Sequence, residues 1–87
     1  MAESFRLSVV TAEGSVFEDE VESVSLPTPF GSLGILARHA PMLCAVEKGV
    51  VRCRKDGGTL RIRIGGGVLS VGDNEATLLV SEGERLE

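Results

Sequence analysis

Hydrophobic residues recur at every second position in four separate runs, and this alternation constrains the fold more than any other feature of the chain. The runs are Phe5, Leu7 and Val9; Val24 and Leu26; Val51 and Cys53; and Leu60, Ile62 and Ile64. A β-strand places successive side chains on opposite faces, so each run predicts a strand with one buried and one wet face. No segment sustains the period of about 3.6 residues that is typical of an amphipathic helix.

Turn-forming residues separate these runs at the spacing that short antiparallel strands require. They are Glu13-Gly14, residues 27–34, Lys48-Gly49, Asp56-Gly57-Gly58 and Gly72-Asp73-Asn74. Residues 76–80 supply a last strand that is apolar enough to be covered on both faces. The pattern predicts an all-β fold, a small antiparallel β-sandwich with two packed sheets and about ten short strands.

The length of the chain leaves room for one domain. A chain of 87 residues buries about 60 to 65 % of its unfolded surface, which is enough for a single hydrophobic core. We expect the sandwich to occupy residues 1–82. Residues 83–87 are mostly charged and are expected to form a tail or the start of a helical region that is cut short.

Charge and composition exclude several kinds of partner. The formal charge is −4 and only three residues are aromatic, whereas nucleic-acid binding requires clustered Lys and Arg and, for single strands, several stacking rings. No apolar run reaches the length of about 20 residues that spans a bilayer, so membrane association has to come through a partner. Cys44, Cys53 and His39 fall short of a structural zinc site, and neither a metal nor a cofactor is expected.

Three features raise the question of catalysis, but none of them completes a site. Residues 18–22 carry glutamates at alternate positions, which predicts a solvated strand face. Gly65-Gly66-Gly67 lacks the Lys and Ser or Thr of a phosphate-binding loop, so it predicts a bulge or the close approach of a neighbouring backbone. His39 lies in an irregular segment, without a nucleophile or an orienting carboxylate that the sequence identifies.

A local cluster of basic residues stands out in this acidic chain. Arg52, Arg54, Lys55, Arg61 and Arg63 are predicted to lie on the outer face of two strands that the turn at residues 56–58 connects. Such a face keeps a sheet soluble, and it is also suited to contact an acidic partner or lipid head groups.

One irregular segment carries a specific family resemblance. Residues 31–43 read G-S-L-G-I-L-A-R-H-A-P-M-L, which resembles the G-E-L-G-I-L-P-x-H-A-P-L-L signature of ATP synthase epsilon subunits. Three further stretches match in order and spacing, and together with the signature they cover essentially the whole chain. They are residues 7–14 with Val16 and Phe17, residues 20–24, and residues 64–71 with Asn74 and residues 77–80.

The resemblance implies a fold and a role. The amino-terminal domain of that family is a flattened β-sandwich in the rotating central stalk of the F-type ATP synthase. The implied function is to bind the gamma subunit and the c-ring, and so to couple proton or sodium ion transport to ATP synthesis. The resemblance implies that the domain has no catalytic activity. It also implies a peripheral location on the cytoplasmic side of a bacterial membrane or the equivalent organelle face.

The resemblance also assigns two contact surfaces. The gamma contact falls on Ile35, Leu36, His39, Ala40, Pro41 and Met42. The c-ring contact falls on Thr28, Pro29, Phe30, Gly31, Ser32 and Leu33. A loop rich in Pro and Gly with an exposed Phe offers apolar surface at a low ordering cost, as an interface requires.

The chain departs from the family pattern at several points. Ser32 stands where the family usually has Glu, Ala37 replaces a common Pro, and Arg38 replaces a small or polar residue. Family members commonly continue into a two-helix carboxy-terminal domain, and this chain stops before it. No C-terminal helical hairpin is therefore expected, and no nucleotide binding is assigned to these residues.

Two alternative functions remain open at the level of sequence. One is a carrier domain of the lipoyl or biotinyl type with Lys48 as the attachment site, although the flanking residues do not match the usual attachment turn. The other is an enzyme that uses His39 with a nearby carboxylate.

Overall fold

Residues 3–86 are described by a computed structural model, and they form ten β-strands and no helix. The strands are β1 (Phe5–Thr11), β2 (Gly14–Val21), β3 (Ser23–Thr28), β4 (Gly31–Leu36), β5 (Met42–Val46), β6 (Gly49–Lys55), β7 (Gly58–Ile64), β8 (Gly67–Gly72), β9 (Glu75–Val80) and β10 (Gly83–Arg85). The all-β prediction is confirmed. The other predicted turns lie where glycine or a positive φ occurs, as at Gly57 and Asn74, but the turn predicted at residues 27–34 is shorter, because β3 runs to Thr28 and β4 begins at Gly31.

The strands form two five-stranded sheets. Sheet I has the order β2-β1-β9-β8-β5, and sheet II has the order β10-β7-β6-β3-β4. Neighbouring strands are antiparallel with one exception, because β1 and β9 run parallel in the centre of sheet I. The predicted antiparallel sandwich thus contains one parallel pair. A parallel pair needs a long connection, and here the strands between β1 and β9 supply it.

The core lies between the sheets and is formed by the alternating residues that the sequence singled out. Among residues 3–86, every buried side chain is apolar. The largest of those that are fully buried are Phe5, Leu7, Leu26, Ile35, Ile62, Leu69 and Leu78. Full burial of each such side chain contributes about 1.5 to 3 kcal/mol, so the core is what holds the two sheets together.

Residues 83–85 belong to the sandwich. They form β10, which pairs with β7 through Gly83 opposite Ile64 and Arg85 opposite Ile62. The guanidinium of Arg85 lies 5.5 Å from the centre of the Phe17 ring. The domain boundary expected at residue 82 is therefore too early, because residues 83–85 form an edge strand of sheet II. Glu87 lies outside the described residues.

Lys55 joins the two sheets instead of lying on the outer basic face. Its Nζ is 3.5 Å from Asp19 Oδ2 on β2 and 3.2 Å from Asp56 Oδ2. The backbone N–H of Glu20 donates to Asp19 Oδ1 at 2.7 Å, and this bond, together with the ammonium of Lys55, lowers the pKa of Asp19. The predicted face keeps its four arginines, all of them exposed, and loses Lys55 because strand alternation turns it inward.

The two cysteines differ in burial, and this leads to a first prediction. Cys53 is fully buried and Cys44 is half-buried. Desolvation raises the pKa of the Cys53 thiol from 9.0 to about 11, so the folded state keeps it protonated. We expect a thiol reagent at pH 8 to label Cys44 in the native protein and Cys53 only after unfolding, as measured by intact mass.

The same shift gives the pH dependence its sign. Because the folded pKa lies above the unfolded one, the contribution of Cys53 to stability is fully present below pH 9.0 and is lost as the pH rises through about 11. A Cys44→Ser variant serves as the control and should show no fast labelling. Equal labelling rates for the two thiols of the parent chain would contradict the prediction.

Candidate partner-binding surfaces

The tip of the β3–β4 hairpin is the most exposed apolar feature of the described chain. Thr28 Oγ1 donates to the Gly31 carbonyl at 2.7 Å and accepts the Phe30 N–H at 3.1 Å, which closes the turn. Gly31 has a φ of 114°, a conformation that favours glycine. The Phe30 side chain is 100 % exposed. The turn therefore holds a large apolar ring away from the core, as a contact residue requires.

Of the six residues predicted to contact the c-ring, four are exposed. These are Pro29, Phe30, Gly31 and Ser32, whereas Thr28 and Leu33 are half-buried. The Oγ atoms of Ser32 and Ser25 are 3.1 Å apart, so the residue that replaces the family's usual Glu hydrogen-bonds within the sheet.

Residues 37–41 connect sheet II to sheet I and carry His39. The Nδ1 of His39 lies 2.7 Å from the Ala40 carbonyl oxygen. A carbonyl only accepts, so Nδ1–H is the donor in this contact. Ala40 and Pro41 are exposed, and His39 and Met42 are half-buried. Four of the six residues predicted for the gamma contact are therefore presented side by side.

Asn74 fixes this segment to sheet I. It lies in the β8–β9 turn with a φ of 59°, and its Oδ1 accepts the backbone N–H of Arg38 at 2.7 Å. Its Nδ2 donates to the Ser4 carbonyl at 3.0 Å. Arg38 itself has a φ of 63°, which is uncommon for a side chain of this size. One amide thus joins three segments that are distant in sequence.

Replacement of Asn74 should loosen the segment that carries His39. We expect Asn74→Gly, which keeps the positive φ accessible and removes both side-chain hydrogen bonds, to lower the free energy of unfolding by about 1 to 2 kcal/mol. The Arg38 amide should also lose protection against hydrogen exchange. Urea unfolding and exchange measured by NMR would test the two effects.

Asp73→Gly is the matched control, because Asp73 has a similar φ of 51° and no hydrogen bond within residues 3–86 involves its side chain. This change should leave the Arg38 amide protected. Normal exchange of Arg38 in Asn74→Gly would show that the amide of Asn74 does not position the segment.

Two residues of the predicted gamma contact lie elsewhere. Ile35 is 1 % exposed and packs in the core, so its side chain is unavailable to a partner and the prediction is corrected. A charged residue at position 35 would disrupt the fold as well as any interface. Leu36 is 66 % exposed, but it lies on the outer face of sheet II beside Ser23, whereas the chain leads from His39 to sheet I.

A strip of apolar side chains crosses the outer face of sheet I. Val10 lies beside Leu79, Leu79 beside Val68, and Val68 beside Ala45, so one row runs over β1, β9, β8 and β5. Leu43 extends the row along β5. Leu79, Val68 and Leu43 are 53 %, 40 % and 73 % exposed. We call these five residues the apolar strip. Contiguous exposed apolar surface of this kind marks a site of interaction.

The sequence indicated that β9 is apolar on both faces, but the prediction that this domain covers both faces was wrong. Residues 76–80 were expected to form a strand covered on both faces, yet Leu79 is exposed while Leu78 and Val80 are buried. Nothing in residues 3–86 covers the outer face of β9. An apolar residue on the solvent-exposed face of a strand is typical of a surface that contacts another chain.

An apolar groove lies between the hairpin tip and β5. It has a volume of about 240 Å³ and is lined by residues of β3, β4 and β5 and of the turn between β3 and β4, namely Thr28, Pro29, Phe30, Ser32, Leu33, Met42, Cys44 and Ala45. The predicted c-ring surface and the predicted gamma surface thus meet at one groove, which sequence spacing did not reveal.

The other candidates for chemistry resolve into structural features. Gly67 lies against the backbone of Leu79 and Val80, which confirms the predicted close approach. Glu18 and Glu20 share the wet face of β2, and Glu18 pairs with Arg6 at 3.3 Å. Within residues 3–86, no group of three His, Cys, Asp or Glu side chains could hold a metal ion.

The features exposed on this small sandwich, an apolar strip, an aromatic hairpin tip and the groove between them, are those of a protein-binding domain. The profile of the family described as ATP synthase, Delta/Epsilon chain, beta-sandwich domain matches residues 4–86. The chain belongs to that family. This assignment takes the place of the carrier hypothesis, and Lys48 is an ordinary exposed residue between β5 and β6.

Named relatives agree with the family assignment. The chain is 42 % identical over 84 residues to the ATP synthase epsilon chain of Desulfitobacterium hafniense, an alignment that covers 97 % of this chain and 64 % of the relative. It is 37 % identical over 82 residues to the chloroplastic ATP synthase epsilon chain of Piper cenocladum, covering 94 % and 62 % of the two chains. The chain thus spans less than two thirds of the length of these relatives.

Solved structures share the fold. A chain in the structure of the Euglena gracilis mitochondrial ATP synthase with its c-ring superimposes with a TM-score of 0.88 at 20 % identity, and covers 95 % of this chain and 54 % of that one. A chain from the central stalk and c-ring of the Tetrahymena thermophila mitochondrial ATP synthase gives 0.78 at 16 % identity, covering 94 % and 66 %. In this chain, no helix among the described residues could cross a membrane.

Proposed function

We propose that this domain works in the rotor stalk of an F-type ATP synthase, where it binds the gamma subunit and the c-ring. In this role it helps to couple proton or sodium ion transport to ATP synthesis. The observation that carries the proposal is that the family's signature segment, residues 31–43, borders both exposed apolar surfaces of the domain. The role is non-catalytic, and the domain would be held at the membrane through its partners.

The proposed gamma surface combines His39, Ala40, Pro41 and Met42 with the apolar strip. These four residues lead directly into β5, where Leu43 and Ala45 begin the strip. An interface of this type has a buried apolar centre and a polar rim. Leu36 was assigned to the same contact by resemblance, and a partner would have to reach round β4 to touch it.

The proposed c-ring surface is the tip of the β3–β4 hairpin. Phe30 supplies the apolar contact, and the hydrogen bonds of Thr28 hold the turn in place before binding. A turn that is ordered in advance lowers the entropic cost of association. Since Ser32 replaces the family's Glu, this contact should depend little on ionic strength.

The test is to mix the chain with the gamma subunit of the same organism and to analyse the mixture by size-exclusion chromatography with light scattering. A one-to-one complex is expected. Because the proposed surface is apolar, its affinity should change by less than about threefold when the salt concentration rises from 0.05 to about 0.5 M. Two folded proteins that elute separately would remove the proposal.

A further inference from the structure

The four edge strands of the sandwich are protected unequally. An exposed edge invites pairing with another chain, and proteins usually guard it with charges, proline or a very short strand. On one side of the sandwich β2 carries Glu18, Asp19 and Glu20, and β10 is only three residues long. On the other side β4 and β5 contain no charged residue and no proline. Apart from the Glu47 N–H just after β5, which donates to the Pro27 carbonyl of β3 at 3.0 Å, that side lacks the usual protection.

The backbone groups that β5 leaves open can be identified from the register. The Ser81 N–H donates to the Gly66 carbonyl, which makes Gly67 and Val80 a pair that does not exchange hydrogen bonds. Alternation along β8 then points the backbone groups of Gly67, Leu69 and Val71 toward β5. Their partners on β5 are Val46, Cys44 and Met42.

Leu43 and Ala45 therefore direct their N–H and C=O groups away from β8, toward the open edge. Within residues 3–86, β5 pairs with β8 alone, and no other hydrogen bond engages these two amides. They form a short row of unused donors and acceptors next to the groove that Phe30, Leu33 and Met42 help to line.

We propose that β5 accepts an extended segment of the gamma-type partner as an additional strand of sheet I. The segment pairs with Leu43 and Ala45 through backbone hydrogen bonds and places an apolar side chain in the groove beside Met42. In strand addition, the backbone bonds supply affinity and such a pocket supplies specificity. This inference rests on the proposed function and specifies how that partner binds.

The choice of occupant follows from continuity of the surface. The apolar strip ends on β5 at Ala45 and Leu43, so a chain that covers the strip reaches the open edge without crossing a charged region. The uncharged edge and the apolar groove both suit an extended apolar segment. A second copy of this domain is an alternative occupant that the experiment distinguishes.

The inference is tested by removing one donor from the edge. Proline is tolerated on an edge strand where its missing N–H faces outward, so Ala45→Pro should fold and lose the Ala45 donor. Ala45→Val has a similar volume and keeps the donor. We expect calorimetric titration with the gamma subunit to show about tenfold weaker binding for Ala45→Pro and less than about twofold for Ala45→Val.

Hydrogen exchange of the parent chain provides a measurement that does not depend on either variant. The amides of Leu43 and Ala45 should exchange rapidly in the free domain and become protected in the complex. Fast exchange of both in a formed complex would overturn strand addition and leave the proposed function standing. Protection that arises in the domain alone, with a dimer in light scattering, would assign the edge to a second copy.

Discussion

Leu79→Glu is expected to weaken the complex with the gamma subunit by at least about 100-fold, or about 2.7 kcal/mol. Leu79 lies in the middle of the apolar strip with neighbours on β1 and β8, so a partner that covers the strip would desolvate the introduced carboxylate. Burial of an unpaired charge in an apolar contact is strongly unfavourable. The free domain should keep its stability, because the side chain is 53 % exposed.

The dissociation constant from calorimetric titration and the urea midpoint of each free variant would measure the two effects. Thr59→Glu is the control, since it adds the same charge to an exposed position on β7 in the other sheet. It should change the affinity by less than about twofold, as is usual for sites outside an interface. If Leu79→Glu bound as tightly as the parent chain, the strip would not be the gamma surface.

Gly67→Ala should lower the free energy of unfolding by about 3 kcal/mol or more. A methyl group at this position would collide with the Leu79 carbonyl oxygen and lie 2.8 Å from the Val80 Cα. Both are backbone atoms of the neighbouring strand β9, so they can move away only if the pairing of β8 with β9 changes. Urea or thermal unfolding, followed by far-ultraviolet circular dichroism, would measure the loss.

Gly72→Ala tests whether the effect is specific to the close approach. Gly72 is also on β8, but a methyl group added there has no atom within 4 Å. Its replacement should change the stability by no more than about 0.5 kcal/mol, and loss of glycine's freedom in the unfolded chain favours the folded state. Similar losses for both variants would mean that β8 merely disfavours substitution of any glycine.

The β-sandwich could be predicted from the sequence because strand alternation and turn formation depend on neighbouring residues. Alternation at Phe5, Leu7 and Val9 predicted which side chains are buried, and all three are. Alternation also places Lys55 on the inner face with Val51 and Cys53, where it meets Asp19, so the prediction that grouped it with the outer arginines was wrong. The prediction of a tail at residues 83–87 was wrong at residues 83–85, because this short charged strand is stabilised by its pairing with β7 and not by its own composition.

The partner contacts assigned by resemblance stay predictions. Phe30, Ala40 and Pro41 are exposed and His39 and Met42 are half-buried, while Ile35 is buried because it alternates into the core. The strip was missed. Val10, Leu43 and Leu79 lie on three different strands, and only the order of those strands in sheet I brings them together.

The sequence by itself determined the strands, the buried face of most of them and the family, since side-chain alternation, turn residues and motif order are properties of neighbouring positions. Only the tertiary structure decided which strands adjoin. That order aligns Val10, Leu79, Val68 and Ala45 in one row and leaves β4 and β5 as uncharged edges beside a shared groove. Partner surfaces of this kind arise from contacts between residues far apart in the chain, and the hydrophobic packing of two sheets sets those contacts.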